Sequence, residues 1–509
     1  MKKVTLIFIV FAFVTFAHAQ NTSKITMKGS GSYSHSFRTT NGQTSTNIEY
    51  DGTIVFNDTD TDVESISTGG FIKISKKTFG TRRTALLEGK SGGKIERFFY
   101  VGHKLQPWEP EGAEWLSDVL LEVIRSTGIG AETRVKRFYR MGGVKAIINE
   151  IEEIKSDYVK SKYFRAAVNV DGISTNDINA LIKEAADEIG SDYEKSRFFI
   201  SSSDLFLNDP SNTNTVMQVT TEISSDFEQS RVFLYYIKKH DLTDEQSSSL
   251  LKSSTTISSD FELSRVLMAL VSENELSTAL MINLMKSVHY ISSDFEAARM
   301  LITTIAKQDM TNKNINLIID ATQDISSDFE QTRVLLKLTG KELSSDNLKL
   351  IADAIENISS DFEKSRLLKG IISKYNSKEE DISFIIEASE NISSDFEQAR
   401  VLTLIAGVVD LNDESYKAVI EATDNISSSY EKKRVLSMLI KNNDFNKTKS
   451  LFTISSIKAI SSNYEKSNLL ILLGPKLPDD TEVKDAFRSA ARSISSDHEY
   501  GKVMRAVDF

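Results

Sequence analysis

Cysteine is absent from the chain, and histidine is scarce, with six residues in 509. Without cysteine the protein can form no disulfide, no thiolate metal site, no cysteine nucleophile and no lipid anchor on a cysteine. The histidines are scattered, and none belongs to a His-Glu-x-x-His pair or another metal-ligand spacing. The chain also lacks a Gly-x-Ser-x-Gly elbow, a Gly-x-x-x-x-Gly-Lys-Ser/Thr phosphate loop and a dinucleotide glycine set. We therefore predict no catalytic residue, no cofactor and no metal, and a protein that is not an enzyme.

Long apolar runs are also lacking, apart from one near the start. Residues 4–16 are apolar, follow the basic start Met1-Lys2-Lys3 and precede Ala17-His18-Ala19-Gln20. That order of parts is typical of a secretory signal peptide. The run is shorter than the about 20 apolar residues of a transmembrane helix. We predict cleavage after Ala19, no transmembrane segment in the mature protein, and export to the periplasm or secretion.

The formal net charge is −11 at pH 7. An acidic surface repels phosphate backbones, so we expect no nucleic-acid partner. The acidity is explained by its effect on solubility, because net charge keeps a long repeat protein from associating.

One stretch returns along most of the chain, most cleanly as Ile-Ser-Ser-Asp-Phe-Glu-Gln-Ser-Arg at residues 223–231. Its Asp position falls at residues 157, 192, 226, 260, 294, 328, 361, 395, 429, 463 and 497, with spacings of 33 to 35. A fixed period of this size is typical of a stacked helical solenoid. We predict an α+β fold, in which a small N-terminal antiparallel β domain precedes an α-solenoid of about eleven 34-residue helical hairpins.

Four regions are predicted, and residues 1–19 are the signal peptide. Residues 20–105 are rich in Ser, Thr and Gly and hold short alternating segments between turn signals, which indicates a β domain. Its first twenty or so residues show no strong periodicity and are expected to be a loose arm. Residues 106–141 should form a helix that opens at Trp108 and a degenerate half repeat ending at Gly142-Gly143. Residues 142–509 are the solenoid.

The motif itself predicts how the second helix of each hairpin begins. Ser225 and Glu228 match a capping box, in which the hydroxyl accepts from the amide three residues on and the carboxylate reaches back to the cap amide. Asp226 falls in the first turn, where a negative charge meets the positive end of the helix dipole. The small residue four places after the Asp and the large one seven places after it share a face, which predicts a close contact between helices.

The Asp and Arg rows are the most tempting site candidates. The rows comprise Asp226, Asp260, Asp294, Asp328, Asp361 and Asp395, and Arg197, Arg231, Arg265, Arg299, Arg333, Arg366, Arg400 and Arg434. Arginines could bind an anionic polymer, and aspartates could bind calcium or a basic peptide. We favour a structural ladder in which each Arg pairs with the Glu or Asp of its own or the next repeat. Partner contacts are expected nine places after the Asp, a variable position occupied by Tyr235 and Lys337.

Residues 57–64 resemble half of a calcium-binding loop. Val63 stands where the sharp turn needs glycine, and no Glu closes the loop. We prefer to interpret this stretch as an acidic β turn.

The repeat length matches that of tetratricopeptide repeats, but the Trp, Leu-Gly, Tyr and terminal Pro pattern is missing, and the chain has only five prolines. From about residue 45 onward the chain resembles bacterial envelope proteins in which serial Ser-Asp-Tyr/Phe-Glu-Lys-Ser-Arg-Val-Leu helical repeats follow a small β domain. Similar arrays are attached to membrane zinc peptidases of the β-lactam-sensor type, whose zinc motif and membrane bundle are missing here. The resemblance implies an extracytoplasmic sensing or scaffolding module, and it brings no proteolytic activity with it.

These features predict a non-enzymatic binding scaffold or sensor that engages a protein or peptide partner through the solenoid surface. An alternative is that the β domain binds a small ligand or envelope glycan and the solenoid is a spacer. A third hypothesis is a cryptic hydrolase that uses carboxylates, although the sequence offers no paired and placed acid and base.

Overall fold

The structure is a computed structural model that describes residues 20–28, 32–40, 44–374, 379–408 and 411–506. The predicted signal peptide, residues 1–19, lies outside these described residues. The chain divides into two compact units, with the boundary between Val232 and Phe233.

Nine β-strands come first among the described residues. They are β1 (Gln20–Lys28), β2 (Ser32–Thr40), β3 (Thr44–Asp51), β4 (Ile54–Phe56), β5 (Val63–Ile66), β6 (Phe71–Thr78), β7 (Thr81–Gly89), β8 (Ile95–Val101) and β9 (Lys104–Gln106). Seven of them form one antiparallel sheet in the order β1-β2-β3-β6-β7-β8-β9. The remaining two, β4 and β5, form a separate hairpin. This is the antiparallel N-terminal sheet that the sequence predicts.

The prediction of a loose arm at the start of the β region was wrong. Strands β1 and β2 pair with each other from Gln20↔Thr40 to Lys28↔Ser32, and β2 continues the sheet by pairing with β3. Their sequences are polar, so they carry little of the alternation by which a half-buried strand is recognised. Main-chain hydrogen bonds to a neighbouring strand do not require that alternation.

One face of the sheet is apolar because alternate residues of a strand point the same way. Ile72 and Ile74 on β6, with Leu87 on β7, are buried on this face. They form one core with α1 (Ala113–Thr127), which contributes Leu120 and Ile124. The sheet is therefore anchored on the first helix, and its opposite, polar face is free of that core.

Twenty-four α-helices follow in the described residues. They are α1 (Ala113–Thr127), α2 (Ala131–Glu152), α3 (Asp157–Ala167), α4 (Thr175–Glu188), α5 (Asp192–Ser201), α6 (Ser203–Leu207), α7 (Pro210–Thr220), α8 (Asp226–Lys239), α9 (Asp244–Ser254), α10 (Asp260–Glu273), α11 (Thr278–Val288), α12 (Asp294–Lys307), α13 (Asn312–Thr322), α14 (Asp328–Leu338), α15 (Ser345–Asp353), α16 (Asp361–Ile372), α17 (Glu379–Ser389), α18 (Asp395–Val408), α19 (Asp413–Asp424), α20 (Ser429–Asn442), α21 (Lys447–Ala459), α22 (Asn463–Leu473), α23 (Thr481–Arg492) and α24 (Asp497–Ala506). None of the helices in this described part is both long enough and apolar enough to cross a membrane.

Two details at the start of the helical part concern specific predictions. Helix α1 begins at Ala113, because Trp108–Gly112 forms a wide turn in which Glu109 has non-helical backbone angles. The predicted opening at Trp108 thus coincides with a π-helical turn, and the α-helix itself begins five residues later. At the predicted stop, Gly142 and Gly143 interrupt α2, and Gly143 has a φ of 64°. Glycine is the residue that adopts such an angle without strain.

The helices of the second unit stack in two layers. In one layer α10, α12, α14, α16, α18, α20, α22 and α24 each contact the next, and in the other layer α9 to α23 do the same with odd numbers. The small residue four places after the Asp and the Leu seven places after it are fully buried, as at Ser264 and Leu267. This is the close contact that the angular pattern predicted. The fold is the predicted α+β arrangement of a sheet followed by a helical solenoid.

Candidate functional site

The Asp of the motif binds backbone amides of the following repeat. The N–H groups of Ser326 and Ser327 donate to Oδ1 and Oδ2 of Asp294 at 3.0 and 2.8 Å. The same two bonds join Asp192 to Ser224 and Ser225, Asp328 to Ser359 and Ser360, Asp361 to Ser393 and Ser394, and Asp395 to Ser427 and Ser428. Each Asp thus satisfies amides at the start of a helix, which have no partner within that helix.

The predicted capping box forms only by half in the second helix of the hairpin. Ser327 accepts from the amide of Glu330, as expected. The cap amide of Ser327, however, donates to Asp294 of the preceding repeat, so the Glu330 carboxylate is left to other partners. Complete capping boxes occur at the starts of α9 and α15. The repeat thus replaces a bond within one helix by a bond between neighbouring hairpins.

The Glu carboxylate turns toward the Arg three residues on in the same helix. Glu363 and Arg366 lie 2.8 Å apart, and similar pairs recur along the array. In some repeats the same Glu also accepts from the small residue of the preceding repeat, as when Ser264 Oγ donates to Glu296 at 2.6 Å. The Glu and Arg rows are therefore paired within each helix, as the spacing predicts.

The aromatic residue that follows the Asp is a feature whose importance the sequence analysis missed. In ten successive repeats this ring is exposed, by 40% to 59% of its area. The rings are Tyr158, Tyr193 and Phe227 in the first unit, and Phe261, Phe295, Phe329, Phe362, Phe396, Tyr430 and Tyr464 in the second. Single exposed apolar side chains are ordinary, but a row of large ones within one unit, such as the seven rings of the second unit, is typical of an interaction surface.

Arginines lie between these rings. The guanidinium Cζ of Arg366 is 5.2 Å from the ring centre of Phe329 in the preceding repeat, and that of Arg434 is 5.3 Å from Phe396. In the first unit Arg231 stands in the same way over Tyr193, at 5.2 Å. Distances below about 6 Å allow a cation–π attraction. We call the alternating row of rings and guanidinium groups in the second unit, from Phe261 and Arg265 to Phe396 and Arg434, the aromatic–arginine ladder.

The accessible charge of the ladder is positive, although the whole chain is acidic. The Arg366 side chain keeps 30% of its area exposed, whereas its partner Glu363 keeps 8%. Partial burial and the nearby Arg400 lower the pKa of Lys369, on the next turn of the same helix. In the first unit, burial and then Arg197 lower the pKa of Arg165. The Glu carboxylates that pair with these arginines are thus covered, and the guanidinium groups face outward.

The two predicted partner-binding residues lie on the same second helices, beyond the ladder. Tyr235 is partly exposed on α8, and its ring packs edge-on against His240 at 6.5 Å. Lys337 is exposed on α14, three repeats further along. The structure does not bring these two side chains together. Each lies one to two turns past the aromatic and Arg residues of its own repeat, so Lys337 borders the ladder.

A second candidate surface is the polar face of the sheet. An open cavity of about 1070 Å³ lies over this face, along the strands β3, β6, β7 and β8. Its lining includes the cations Lys77 and Arg82, together with Tyr100 and His103. A cavity of this size can hold a small molecule, and its cations favour an anionic one.

The acidic loop between β4 and β5 holds a buried carboxylate that pairs with arginines. Asp60 is buried and accepts from both Arg134, at 2.7 Å, and Arg137, at 2.6 Å. Arg134 also pairs with Glu150 at 3.0 Å, so the cluster joins the hairpin to α2. Among the described residues, no group of three His, Asp or Glu side chains could hold a metal ion. Asp60 of this loop is thus held by two arginines.

The fold and the ladder define a helical-repeat protein with a repeated exposed surface. No known protein family's profile matches the chain, and no curated protein matches it. Among solved structures, the Chs5-Bch1 exomer cargo adaptor complex matches over 87% of this chain and 84% of its own, with 9% identity and a TM-score of 0.18. A circular tandem repeat protein matches over 78% and 80%, with 10% identity and a TM-score of 0.15. Likenesses this weak indicate nothing about function.

Proposed function

We propose that the protein is a non-enzymatic scaffold that binds a protein or peptide partner through the aromatic–arginine ladder. The observation that supports this most is the half-exposed ring in ten successive repeats. Aromatic residues and arginine are the types enriched at protein interfaces, where they supply most of the binding energy. Following the resemblance to envelope proteins, we further propose that binding takes place outside the cytoplasm after export.

The stacking of the hairpins does not by itself explain why a large aromatic residue stands at this half-exposed position. In α14 the fully buried Leu335 and Thr332 already fill the space between helices, as do Leu267 with Ser264 in α10 and Leu368 with Ser365 in α16. A ring that served only this core would be buried as they are. Half of each ring remains in water, which is unfavourable unless a partner covers it.

Selection from a random peptide display library on the mature full-length protein tests this proposal. Peptides should be enriched whose affinity falls at least about tenfold in the triple variant Phe295→Ser/Phe329→Ser/Phe362→Ser. The matched control is Tyr290→Ser, which removes a ring that is 60% exposed in the same unit but outside the ladder. Circular dichroism should show both variants folded. No enrichment, or peptides that bind all three proteins equally, would contradict the proposal.

A second candidate function is the binding of a small anionic ligand or glycan by the sheet, with the solenoid as a spacer. The cavity lined by Lys77, Arg82 and His103 favours it. The double variant Lys77→Glu/Arg82→Glu reverses two positive charges in the cavity lining and changes no residue of the ladder. A thermal shift by carboxylated or sulfated sugars that this variant abolishes, and that the triple ladder variant retains, would support the second candidate.

A further inference from the structure

We propose that the ligand of the ladder is an extended acidic segment in the polyproline II conformation, with a proline at every third position. This inference rests on the proposed function, and it specifies the class of partner. Three observations carry it: the spacing of the rings, their chemistry and the sign of the accessible charge.

The spacing of the rings is bounded by their shared arginines. The guanidinium Cζ of Arg333 lies 5.9 Å from the ring centre of Phe295 and 5.9 Å from that of Phe329. The two centres can therefore be no further apart than twice that distance. Packed neighbouring helices are separated by about 8–10 Å, and each ring belongs to one helix. The ladder thus offers one ring for roughly every 9 Å of a ligand laid across it.

A polyproline II helix has this period. It rises about 3.1 Å per residue with three residues per turn, so one face repeats every 9.3 Å or so. A β-strand presents the same face every two residues, roughly 6.7 Å, and falls out of step after one ring. An α-helix repeats its apolar stripe every seven residues, roughly 10.5 Å, but it needs a continuous apolar groove. Here a guanidinium group interrupts the apolar surface between rings.

The chemistry of the ladder agrees with this conformation. Proline-rich segments dock on exposed aromatic rings, and they lose little conformational entropy on binding because their extended form is preset. An array of rings held by a solenoid adds a contact with each turn of such a ligand. Affinity should therefore grow with the number of turns.

The charge of the ladder selects among such segments. Arg333 keeps 30% of its side chain exposed, whereas its partner Glu330 keeps 11%, and the same contrast holds in neighbouring repeats. Carboxylates placed between the prolines would meet these guanidinium groups. A basic proline-rich segment would instead be repelled by the guanidinium groups, because the Glu carboxylates that pair with them are covered.

Three fluorescent fifteen-residue peptides test the inference on the mature full-length protein. The first repeats Pro-Glu-Thr five times, the second has the same composition with prolines spaced alternately by two and four, and the third replaces every Pro by Ala. We expect the first to bind at least about tenfold more tightly than the others in anisotropy titrations. Its affinity should fall with added salt, and it should fall at least about tenfold in Phe295→Ser/Phe329→Ser but not in Tyr290→Ser.

The outcomes separate this inference from the proposed function. Equal binding of the first two peptides, or tighter binding of the alanine peptide, would overturn the polyproline inference. If display-selected peptides depend on the ladder while the proline peptide does not bind, the proposed function stands and only this inference fails. If neither kind of peptide depends on the ladder rings, both fail.

Discussion

The junction between the sheet and the first helices uses charge differently from the repeat array. At the junction Asp60, Arg134 and Glu150 are almost completely buried and form one cluster, whose members stand up to 90 residues apart in the chain. In the array the Asp of the motif bonds to the next repeat, 31 to 33 residues away, and its Glu pairs with the Arg of its own helix. Within the part of the chain that the structure describes, the second arrangement is repeated from one hairpin to the next.

The two regions should respond differently to a single substitution. A buried cluster of charges leaves uncompensated ions in the core when one partner is removed, so a single change should unfold the region. In the array, many small bonds between neighbouring repeats share the stabilisation. A single change should therefore weaken the contact between only one pair of repeats. The four predictions below follow from this difference.

The largest effect is expected for Asp60→Ala. The change leaves Arg134 and Arg137 buried without their carboxylate, which should cost about 3–5 kcal/mol of unfolding free energy. Both tryptophans of the chain, Trp108 and Trp115, pack against the core of the sheet and α1, so urea unfolding followed by tryptophan fluorescence reports on this region. The control is Asp58→Ala, an exposed change in the same loop. Equal midpoints for the two variants would show that the cluster is dispensable.

Alkaline pH should weaken the same region next. Burial raises the pKa of Tyr163 to about 12 and that of Tyr50 to about 12. Because these folded-state values exceed the ordinary value near 10, stability is complete below pH 10 and is lost as pH rises from 10 toward 12.

By pH 11 the loss should be about 1.4 kcal/mol for Tyr163 and less for the more exposed Tyr50, or roughly 2 kcal/mol for the pair. Tryptophan-detected urea midpoints at pH 9 and 11 measure this loss. Tyr50→Phe, which cannot ionise, should reduce the difference between the two midpoints. A Tyr50→Phe protein as sensitive to alkali as the wild type would contradict the assignment.

The Asp bonds between two neighbouring repeats should contribute less to the unfolding free energy than the buried cluster does. Asp328→Ala removes the acceptor of the Ser359 and Ser360 amides, at a cost of about 1.5 kcal/mol. Hydrogen exchange should speed up at these two amides. Asp346→Ala is the control, because Asp346 is an exposed first-turn carboxylate of α15 and tests the helix-dipole effect alone. If the two variants are equally destabilised, the dipole explains the Asp row and the bonds to the amides do not.

The smallest expected effect is a gain in stability. Ser429 stands in the Asp position of its repeat, and within the described residues it makes no bond to the following pair Ser461 and Ser462. Ser429→Asp should supply the missing acceptor and raise the unfolding free energy by about 1 kcal/mol. Ser345→Asp places the same charge at the first position of α15, where only the helix dipole stabilises it. Stabilisation should be larger for the first variant in urea melts followed by circular dichroism.

The repeat architecture could be predicted because each hairpin contacts only its neighbours, so a fixed period reports on the fold directly. The pair of Glu363 and Arg366 could be predicted for the same reason, since three-residue spacing fixes it within one helix. The bond from Asp294 to the Ser326 and Ser327 amides could not, because backbone amides are the same in every sequence and the relevant ones belong to the next repeat.

Other features left weaker signals. Nothing periodic relates Asp60 to Arg134, which stand 74 residues apart. The polar strand β1 carries no alternation by which it could be recognised. The exposed ring of Phe329 was missed because a Phe inside a repeated motif resembles a core residue, and only its exposure in the structure distinguishes the two. The angular position of that ring, next to Arg333 on the polar edge, is the signal that could have revealed it.

The central claim is that the motif divides into inward links that hold the repeats together and an outward ladder that binds a partner. Affinity for a ladder-binding peptide, measured while Phe295, Phe329 and Phe362 are changed to Ser one after another, tests it most directly. We predict a stepwise loss with each ring, while the urea midpoint of Asp328→Ala falls and its peptide affinity stays near that of the wild type. Loss of binding in Asp328→Ala, with none in the ring variants, would contradict the division.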